Sequence, residues 1–161
     1  MNEAVLNVDE NQMPAVGLGL WKLDKADCAD VVRGAIEIGY RHLDSAADYG
    51  NEEEVGAGIK QALADGLCQR KDLWITSKLW NTFHRPEHVR EACEKTLADL
   101  GVDYLDLYLI HFPISLKYVG IDTRYPPEWI ANPDADNPVM EIDPVPLADT
   151  WRAMEALVAD G

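Results

Sequence analysis

Four polar side chains stand at or near the ends of short apolar runs in the sequence: Asp44, Tyr49, Lys78 and His111. A free tyrosine has a pKa near 10 and therefore gives up its proton poorly at neutral pH. A neighbouring ammonium favours the phenolate, and a carboxylate beside the ammonium keeps it charged and in place. Asp44, Lys78 and Tyr49 could thus form a relay in which Tyr49 is the general acid. His111 could donate a hydrogen bond to a substrate carbonyl. The chemistry that suits this set is carbonyl reduction.

Each of these residues also has a simpler explanation when it is taken alone. An aspartate after a strand commonly forms a turn or caps a helix, and a single lysine is commonly solvated. Tyr49, beside Gly50 and Asn51, could cap a loop. A metal-dependent hydrolase that uses Asp44 and His111 is a third interpretation, which predicts inactivation by chelators.

Composition restricts the class of protein. The 161 residues are enough for one domain with a substantial core. Acidic residues outnumber basic ones by 29 to 14, and the net charge of −15 argues against nucleic-acid or membrane partners. We see no signal peptide and no membrane-spanning stretch, and we predict a cytoplasmic location. The three cysteines are predicted to be buried, reduced thiols: Cys28, Cys68 and Cys93.

The elements that must position these side chains alternate between strand and helix patterns. Strands are predicted over residues 15–20, 41–44, 73–79 and 104–110, the last buried on both faces. Helices are predicted over 28–36, 55–63, 86–100 and 147–158, from apolar residues spaced along one helix face. Gly39, Gly66 and Gly101 are predicted to end the first three helices, and Pro86 to begin the third. Four such units predict an α/β protein with a parallel sheet.

A long proline-containing segment, residues 112–146, follows the fourth predicted strand. Loops of this length are usually functional when they follow a strand at its carboxyl end. A closed (β/α)8 barrel needs about 250 residues. The chain is therefore either the first half of such a barrel or a complete open sheet of four units.

Three segments of the sequence carry a family resemblance. Residues 39–46 (GYRHLDSA), followed by Tyr49, Glu52, Val55 and Gly56, resemble the first signature of the aldo-keto reductase family. Residues 75–80 (ITSKLW) resemble its lysine strand, and residues 103–113 (DYLDLYLIHFP) its histidine strand. The resemblance implies that residues 1–161 are the N-terminal half of one (β/α)8 TIM barrel domain, with a long loop after the fourth strand. It also implies NADPH as the hydride donor, with NADH as the alternative, and a catalytic tetrad of Asp44, Tyr49, Lys78 and His111.

Residues 48–52 (DYGNE), 111–114 (HFPI) and 125–127 (YPP) resemble the D-xylose and aldose reductase branch of that family more specifically. The branch implies reduction of an aldose or another aldehyde to the alcohol. Asp48 could accept hydrogen bonds from sugar hydroxyls, and the alternative is a solvated loop acid. The predicted substrate-binding residues are Trp21, Asp48, Trp80, His111 and Phe112. The place of Trp129 depends on the fold of the long loop, whereas Trp74 and Trp151 are predicted to be structural, Trp151 in the core.

The cofactor site is predicted to be incomplete. Residues 17–19 (GLG) lack the third glycine of a dinucleotide fingerprint, so a Rossmann site is rejected. The resemblance instead implies nicotinamide contacts from Gly19, Leu20, Trp21, Lys22 and Asp44. It implies that the rest of the cofactor site lies in a segment after Gly161.

We therefore expect the 161-residue chain to be an incomplete enzyme that binds NADPH weakly or not at all. A half barrel would leave two strand edges open, so self-association is expected. A non-catalytic nucleotide-binding or regulatory relative on the same scaffold is the alternative. No metal site is predicted, because the remaining histidines show no ligand arrangement.

Overall fold

The computed structural model describes residues 4–8, 11–130, 134–136 and 138–161. An antiparallel pair of short strands, β1 (Val5–Val8) and β2 (Asn11–Pro14), precedes a four-stranded parallel sheet. The strands of the parallel sheet lie in chain order: β3 (Leu18–Gly19), β4 (His42–Asp44), β5 (Trp74–Leu79) and β6 (Leu107–Ile110). The predicted α/β class with a parallel sheet is confirmed.

Four helices alternate with these strands: α1 (Lys25–Ile38), α2 (Glu52–Ala64), α3 (Pro86–Leu100) and α4 (Leu147–Ala159). Their ends follow the predicted signals closely. Gly39 and Gly101 end α1 and α3 in the left-handed conformation, where their amide groups donate to carbonyls of the last helical turn. Pro86 begins α3, at a position where its missing N–H group has no helical partner to lose.

The strand order decides between the two architectures that the sequence left open. A doubly wound open sheet reverses its strand order at a switch point and carries helices on both faces. Here each strand pairs with the next one in the chain, and α1, α2, α3 and α4 pack on one another in succession. The helices therefore lie side by side on one face of the sheet, which is the arrangement of a (β/α)8 barrel segment.

The main core lies between the sheet and the helices. Leu43 of β4 and Ile75 of β5 are fully buried against Val32 of α1, Ile59 of α2 and Leu100 of α3. A second cluster, which includes Trp80 and Met154, joins the end of β5 to α3 and α4. Burial of this apolar surface holds the carboxyl ends of the strands at a common edge.

Two predictions about apolar segments are wrong. The predicted strand 104–110 is not buried on both faces, because β6 is an edge strand of the described sheet and Leu109 is 38% exposed. Trp151 is not in the core but is 54% exposed, with its indole N–H donating to Glu155. The reason is the rotation of α4, which turns Thr150 and Met154 inward instead.

Local lengths also differ from the predictions. The run 15–20 forms only the two-residue strand β3, and the β1–β2 pair was not predicted. The long segment after β6 is not structureless, because bridges between Leu116 and Ile142 and between Ile130 and Val139 fold it back on itself. The amide of Leu116 donates to the Asn81 carbonyl at 2.9 Å, which attaches the segment to the loop after β5.

The three cysteines are unpaired thiols, but only Cys28 is fully buried as predicted. Cys68 and Cys93 are partly exposed. Burial raises the pKa of the Cys28 thiol to about 11, with a smaller contribution from Glu54. Within the described residues, we find no helix with both the length and the apolar character needed to cross a lipid bilayer.

Candidate active site

The ends of three neighbouring strands supply three of the predicted catalytic side chains. Asp44 is the last residue of β4, and Lys78 is the next-to-last residue of β5. His111 directly follows β6, and its amide donates to the Leu79 carbonyl at 3.0 Å. Because the strands are parallel and adjacent in register, these residues meet at one edge of the sheet.

Tyr49 reaches the same edge from the loop after β4. It ends a 3₁₀ turn over Ala47–Tyr49, and Gly50 follows with a φ of 69°. This left-handed conformation suits glycine and ends the turn abruptly, so that the chain enters α2 two residues later.

The Lys78 ammonium has three hydrogen-bond acceptors around it. Its Nζ lies 2.7 Å from Asp44 Oδ1, 2.7 Å from the Ser45 carbonyl and 3.1 Å from Tyr49 Oη. An ammonium has three N–H donors, so these contacts satisfy all of them. The side chain is 11% exposed, and a buried ammonium is stable only when it is paired in this way.

The His111 ring is enclosed by aromatic rings. It stacks on Phe112 with centroids 4.7 Å apart and meets the edges of Tyr49 at 5.8 Å and Trp80 at 5.3 Å. Burial lowers the pKa of His111 to about 4, and the Lys78 ammonium lowers it further while Asp44 opposes it. His111 is therefore neutral at neutral pH, and a neutral imidazole can donate one N–H to a carbonyl oxygen.

An aromatic wall, formed by Trp80, Phe112 and Trp129, lies beside His111. Trp80 is fully buried and meets Phe112 at 6.0 Å and Trp129 at 5.0 Å between centroids. The indole N–H of Trp80 donates to the Glu128 carbonyl at 3.1 Å. The long loop therefore folds over the site and contributes Trp129 to its wall, which the sequence left undecided.

Asp48 is partly buried next to Tyr49, unlike a solvated loop acid. Its Oδ1 atom is buried and has no hydrogen-bond partner among the residues that the structure describes. Burial raises the pKa of Asp48 to about 6, and Glu128 raises it further whereas Arg124 lowers it.

The residues predicted to contact a nicotinamide do not all present their side chains to the site. Gly19 pairs with Asp44 in register, and a Cβ placed on Gly19 would meet no atom within 4 Å. Trp21 is 65% exposed, and Lys22 Nζ lies 4.5 Å from its ring centroid. Leu20, by contrast, buries its side chain in the core. The missing side chain at Gly19 leaves space beside Asp44 at the end of β3, where a flat heterocycle would meet no Cβ.

Sequence reasoning missed two residues that shape this site. The Asn51 side chain donates to the carbonyls of Leu20 and Leu23 at 3.0 and 3.3 Å, joining the loop after β3 to the start of α2. Glu52 is buried and accepts hydrogen bonds from Ser77 and Thr96. The sequence named Glu52 only as part of a resemblance, and no local pattern shows that its carboxyl is buried.

The part of the chain that the structure describes contains no group of three or more histidine, cysteine or acidic residues placed to hold a metal ion.

Comparisons with known proteins show which family the chain resembles. The model of the aldo/keto reductase family matches residues 15–161. An NADPH-dependent D-xylose reductase from Meyerozyma guilliermondii is 53% identical over 150 residues, which are 93% of this chain and 46% of that protein. An NADPH-dependent aldose reductase from Saccharomyces cerevisiae is 52% identical over 152 residues, with the same two shares.

A solved structure gives the same result for the fold. The aldose reductase from Schistosoma japonicum superposes with a TM-score of 0.86 at 45% identity, over 100% of this chain and 50% of that one. The chain thus spans about half the length of the relatives that it matches. The predicted N-terminal half of a TIM barrel is confirmed as the fold.

Proposed function

The chain belongs to the aldo/keto reductase family, and from that premise we propose that the site around Lys78 serves the NADPH-dependent reduction of an aldose or another aldehyde to the alcohol. NADH is the alternative hydride donor. In the same proposal, residues 1–161 form the N-terminal half of a single barrel domain. Its location is the cytoplasm, in keeping with three unpaired cysteines.

The proton in this reaction comes from Tyr49. Its Oη donates the proton to the carbonyl oxygen as the carbonyl carbon gains a hydride, and the product is an alcohol. The phenolate that remains is stabilised by the Lys78 ammonium 3.1 Å away. Asp44, bonded to the same ammonium at 2.7 Å, keeps that charge in place.

His111 and the aromatic wall position the carbonyl and keep water away. Because His111 is neutral, its N–H can orient the carbonyl oxygen toward Tyr49 without protonating it first. The partly exposed rings of Phe112 and Trp129 form an apolar surface beside this point, and the buried ring of Trp80 packs behind them. This surface limits access of water.

The hydride is the chemistry that a nicotinamide cofactor supplies when bound. The nicotinamide would lie at the rim formed by β3 and β4, beside Gly19, Trp21, Lys22 and Asp44. Leu20 would contribute through the core packing that supports this rim.

Asp48 is the proposed contact to the substrate's hydroxyl groups. Asp48 directly precedes the proposed acid Tyr49, and among the described residues nothing hydrogen-bonds to its Oδ1. An aldose offers hydroxyls close to its carbonyl carbon, whereas a simple aliphatic aldehyde offers none. Asp48→Ala should therefore raise KM for D-xylose more than KM for an aliphatic aldehyde of similar length.

The observation that carries the proposal is the Lys78–Tyr49 contact at 3.1 Å within an Asp44-bonded network. The test is Tyr49→Phe in the protein that carries this chain, assayed by NADPH oxidation with D-xylose. We expect a loss of about 100-fold or more in kcat, with NADPH binding retained.

Three outcomes would contradict the proposal. A Tyr49→Phe protein with nearly full activity would show that another group supplies the proton. Hydrolytic activity that is lost on chelation and indifferent to NADPH would favour the metal-dependent alternative. A protein that binds NADPH without any carbonyl reduction would be the non-catalytic relative.

Self-association of the chain on its own is a further part of the proposal. The outer edges of β3 and β6 are unpaired in the described sheet, and open strand edges are prone to pair with another chain. Light scattering coupled to size exclusion should show species larger than the 18.0 kDa monomer. A single monomeric peak at high concentration would contradict it.

A further inference from the structure

A second hydrogen-bonded cluster lies on the opposite face of β5 from the proposed active site. Successive strand residues point to opposite faces, so Ser77 faces the helices where Lys78 faces the site. The Ser77 hydroxyl donates to Glu52 Oε1 at 2.6 Å, and the Thr96 hydroxyl of α3 donates to Glu52 Oε2 at 3.1 Å. All three side chains of this cluster, which we call the Glu52 cluster, are buried.

The Glu52 cluster is joined to the proposed acid by a very short piece of chain. Tyr49 ends the 3₁₀ turn, Gly50 turns the backbone, and Glu52 is the first residue of α2. Residues 49–52 therefore contact β5 twice. Tyr49 meets Lys78 on one face of the strand, and Glu52 meets Ser77, the adjacent strand residue, on the other.

We propose that Glu52 is a positioning residue for Tyr49: its hydrogen bond with Ser77 holds residues 49–52 against β5 and so sets the distance between Tyr49 Oη and Lys78 Nζ. This inference rests on the proposed role of Tyr49 as the proton donor. The second bond, from Thr96 of α3, satisfies the other carboxyl oxygen and makes no contact with β5.

The presence of a carboxyl group at Glu52 supports a role in which oriented hydrogen bonds hold the chain in place. Burying a carboxyl costs stability unless its oxygens are hydrogen-bonded, and an apolar side chain would fill the same space without that cost. Burial raises the pKa of Glu52 to about 7, against the opposing effect of the bonds from Ser77 and Thr96. Two oxygens aimed at hydroxyls on two different elements provide a link that apolar packing would not.

The distance that the proposal concerns can be measured without any activity. Lys78 Nζ lies 4.8 Å from the centroid of the Tyr49 ring, so a nuclear Overhauser effect (NOE) is expected between the Lys78 ε-methylene and the ring protons. The His88 and Tyr118 rings, stacked at 3.5 Å, provide a reference contact far along the chain that reports the integrity of the fold.

Ser77→Ala removes only the hydroxyl that links Glu52 to β5. We expect the Lys78–Tyr49 NOE to fall by about twofold or more while the His88–Tyr118 NOE is retained. Thr96→Val is the matched control, because it removes the other hydroxyl bonded to the same carboxyl, and it should leave the Lys78–Tyr49 NOE close to that of the wild type. Glu52→Gln keeps an acceptor oxygen for Ser77 and should also retain it.

An unchanged Lys78–Tyr49 NOE in Ser77→Ala would overturn the proposal, and so would an equal loss in Thr96→Val, which would indicate general packing. If the His88–Tyr118 NOE were lost in Ser77→Ala, the fold would be disturbed and Ser77→Cys would replace that variant. A thiol is similar in size to the hydroxyl but a weaker donor, so the Lys78–Tyr49 NOE should again fall relative to the wild type. The NOE result is independent of the Tyr49→Phe assay, so failure of the positioning role and failure of the proposed function are distinguishable.

Discussion

Asp44 of β4 and Lys78 of β5 form an ion pair in which the lysine side chain is buried more deeply than the aspartate side chain. Their side chains are 39% and 11% exposed, with Lys78 Nζ 2.7 Å from Asp44 Oδ1. Water can therefore solvate the carboxylate if it loses its partner, but it reaches the ammonium much less well. The two ends of one contact should respond differently to mutation.

We expect Asp44→Asn to lower the free energy of unfolding by about 3 kcal/mol, because it leaves a buried ammonium without a counter-ion. Lys78→Met should cost about 1 kcal/mol, because the remaining carboxylate is partly solvated. Urea unfolding of both variants at neutral pH measures the difference. The opposite ranking would show that the exposure of the two side chains does not govern the stability of the pair.

His111 should remain neutral down to unusually low pH. Its imidazole C–H resonance should titrate with a midpoint near pH 4, in accord with a pKa of about 4. In Lys78→Met the midpoint should rise only part of the way toward 6.5, because burial is the larger cause of the shift. A midpoint that returned fully to 6.5 would make the ammonium the dominant cause instead.

The lowered pKa of His111 also makes the free energy of unfolding depend on pH. Between pH 4 and 6.5 the unfolded chain binds a proton at His111 that the folded chain does not bind, so this residue makes stability rise with pH across that range. His111→Asn should show a shallower rise than the wild type between those limits when unfolding is followed at a series of pH values.

Glu52 should make the stability of the folded chain fall, not rise, as pH increases. The folded pKa of about 7 lies above the ordinary value of 4.5, so the folded chain holds this proton more tightly than the unfolded chain. The stability that this proton contributes is fully present below pH 4.5 and is lost as pH rises toward 7. Glu52→Gln cannot ionise, so its stability relative to the wild type should increase by up to about 3 kcal/mol between pH 4.5 and 8.

Asp99 of α3 raises the pKa of Glu52 and Lys95 lowers it, but burial has a larger effect on that pKa than either residue. Glu53→Gln, at the exposed neighbouring position, is the matched control and should follow the wild type at every pH. A constant difference between Glu52→Gln and the wild type across this range would mean that the folded chain does not hold the proton.

Gly56 allows α2 to approach the end of α3 closely. A Cβ at Gly56 would lie 2.6 Å from the Leu100 carbonyl oxygen, which is backbone and cannot turn aside. Gly56→Ala should therefore lower the free energy of unfolding by about 1–3 kcal/mol. Gly34→Ala in α1, where a Cβ would meet no atom within 4 Å, should raise it by about 0.5–1 kcal/mol. Thermal unfolding of the two variants tests the contrast, and similar changes in both would refute it.

The ends of the helices were predictable because they depend on a few neighbouring residues. Glycine relieves the steric cost of the left-handed conformation at Gly39 and Gly101, and proline lacks the amide that the first turn of α3 does not use at Pro86. Alternation of strands and helices then required a parallel sheet, and that placed Asp44, Lys78 and His111 at one edge.

The sequence by itself therefore determined the class of the fold, the helix ends that glycine and proline mark, and the edge at which the proposed chemistry lies. The starts of α1 and α2, three residues before the predicted ones, were not determined in this way. Only the tertiary structure decided that Trp151 faces outward, that Leu20 belongs to the core and that Glu52 bonds to Ser77 across 25 positions of the chain. Local backbone preferences act within one turn. The rotation of a helix and the partners of a buried carboxyl depend instead on contacts between distant segments, which form only when the whole sheet and its helices pack together.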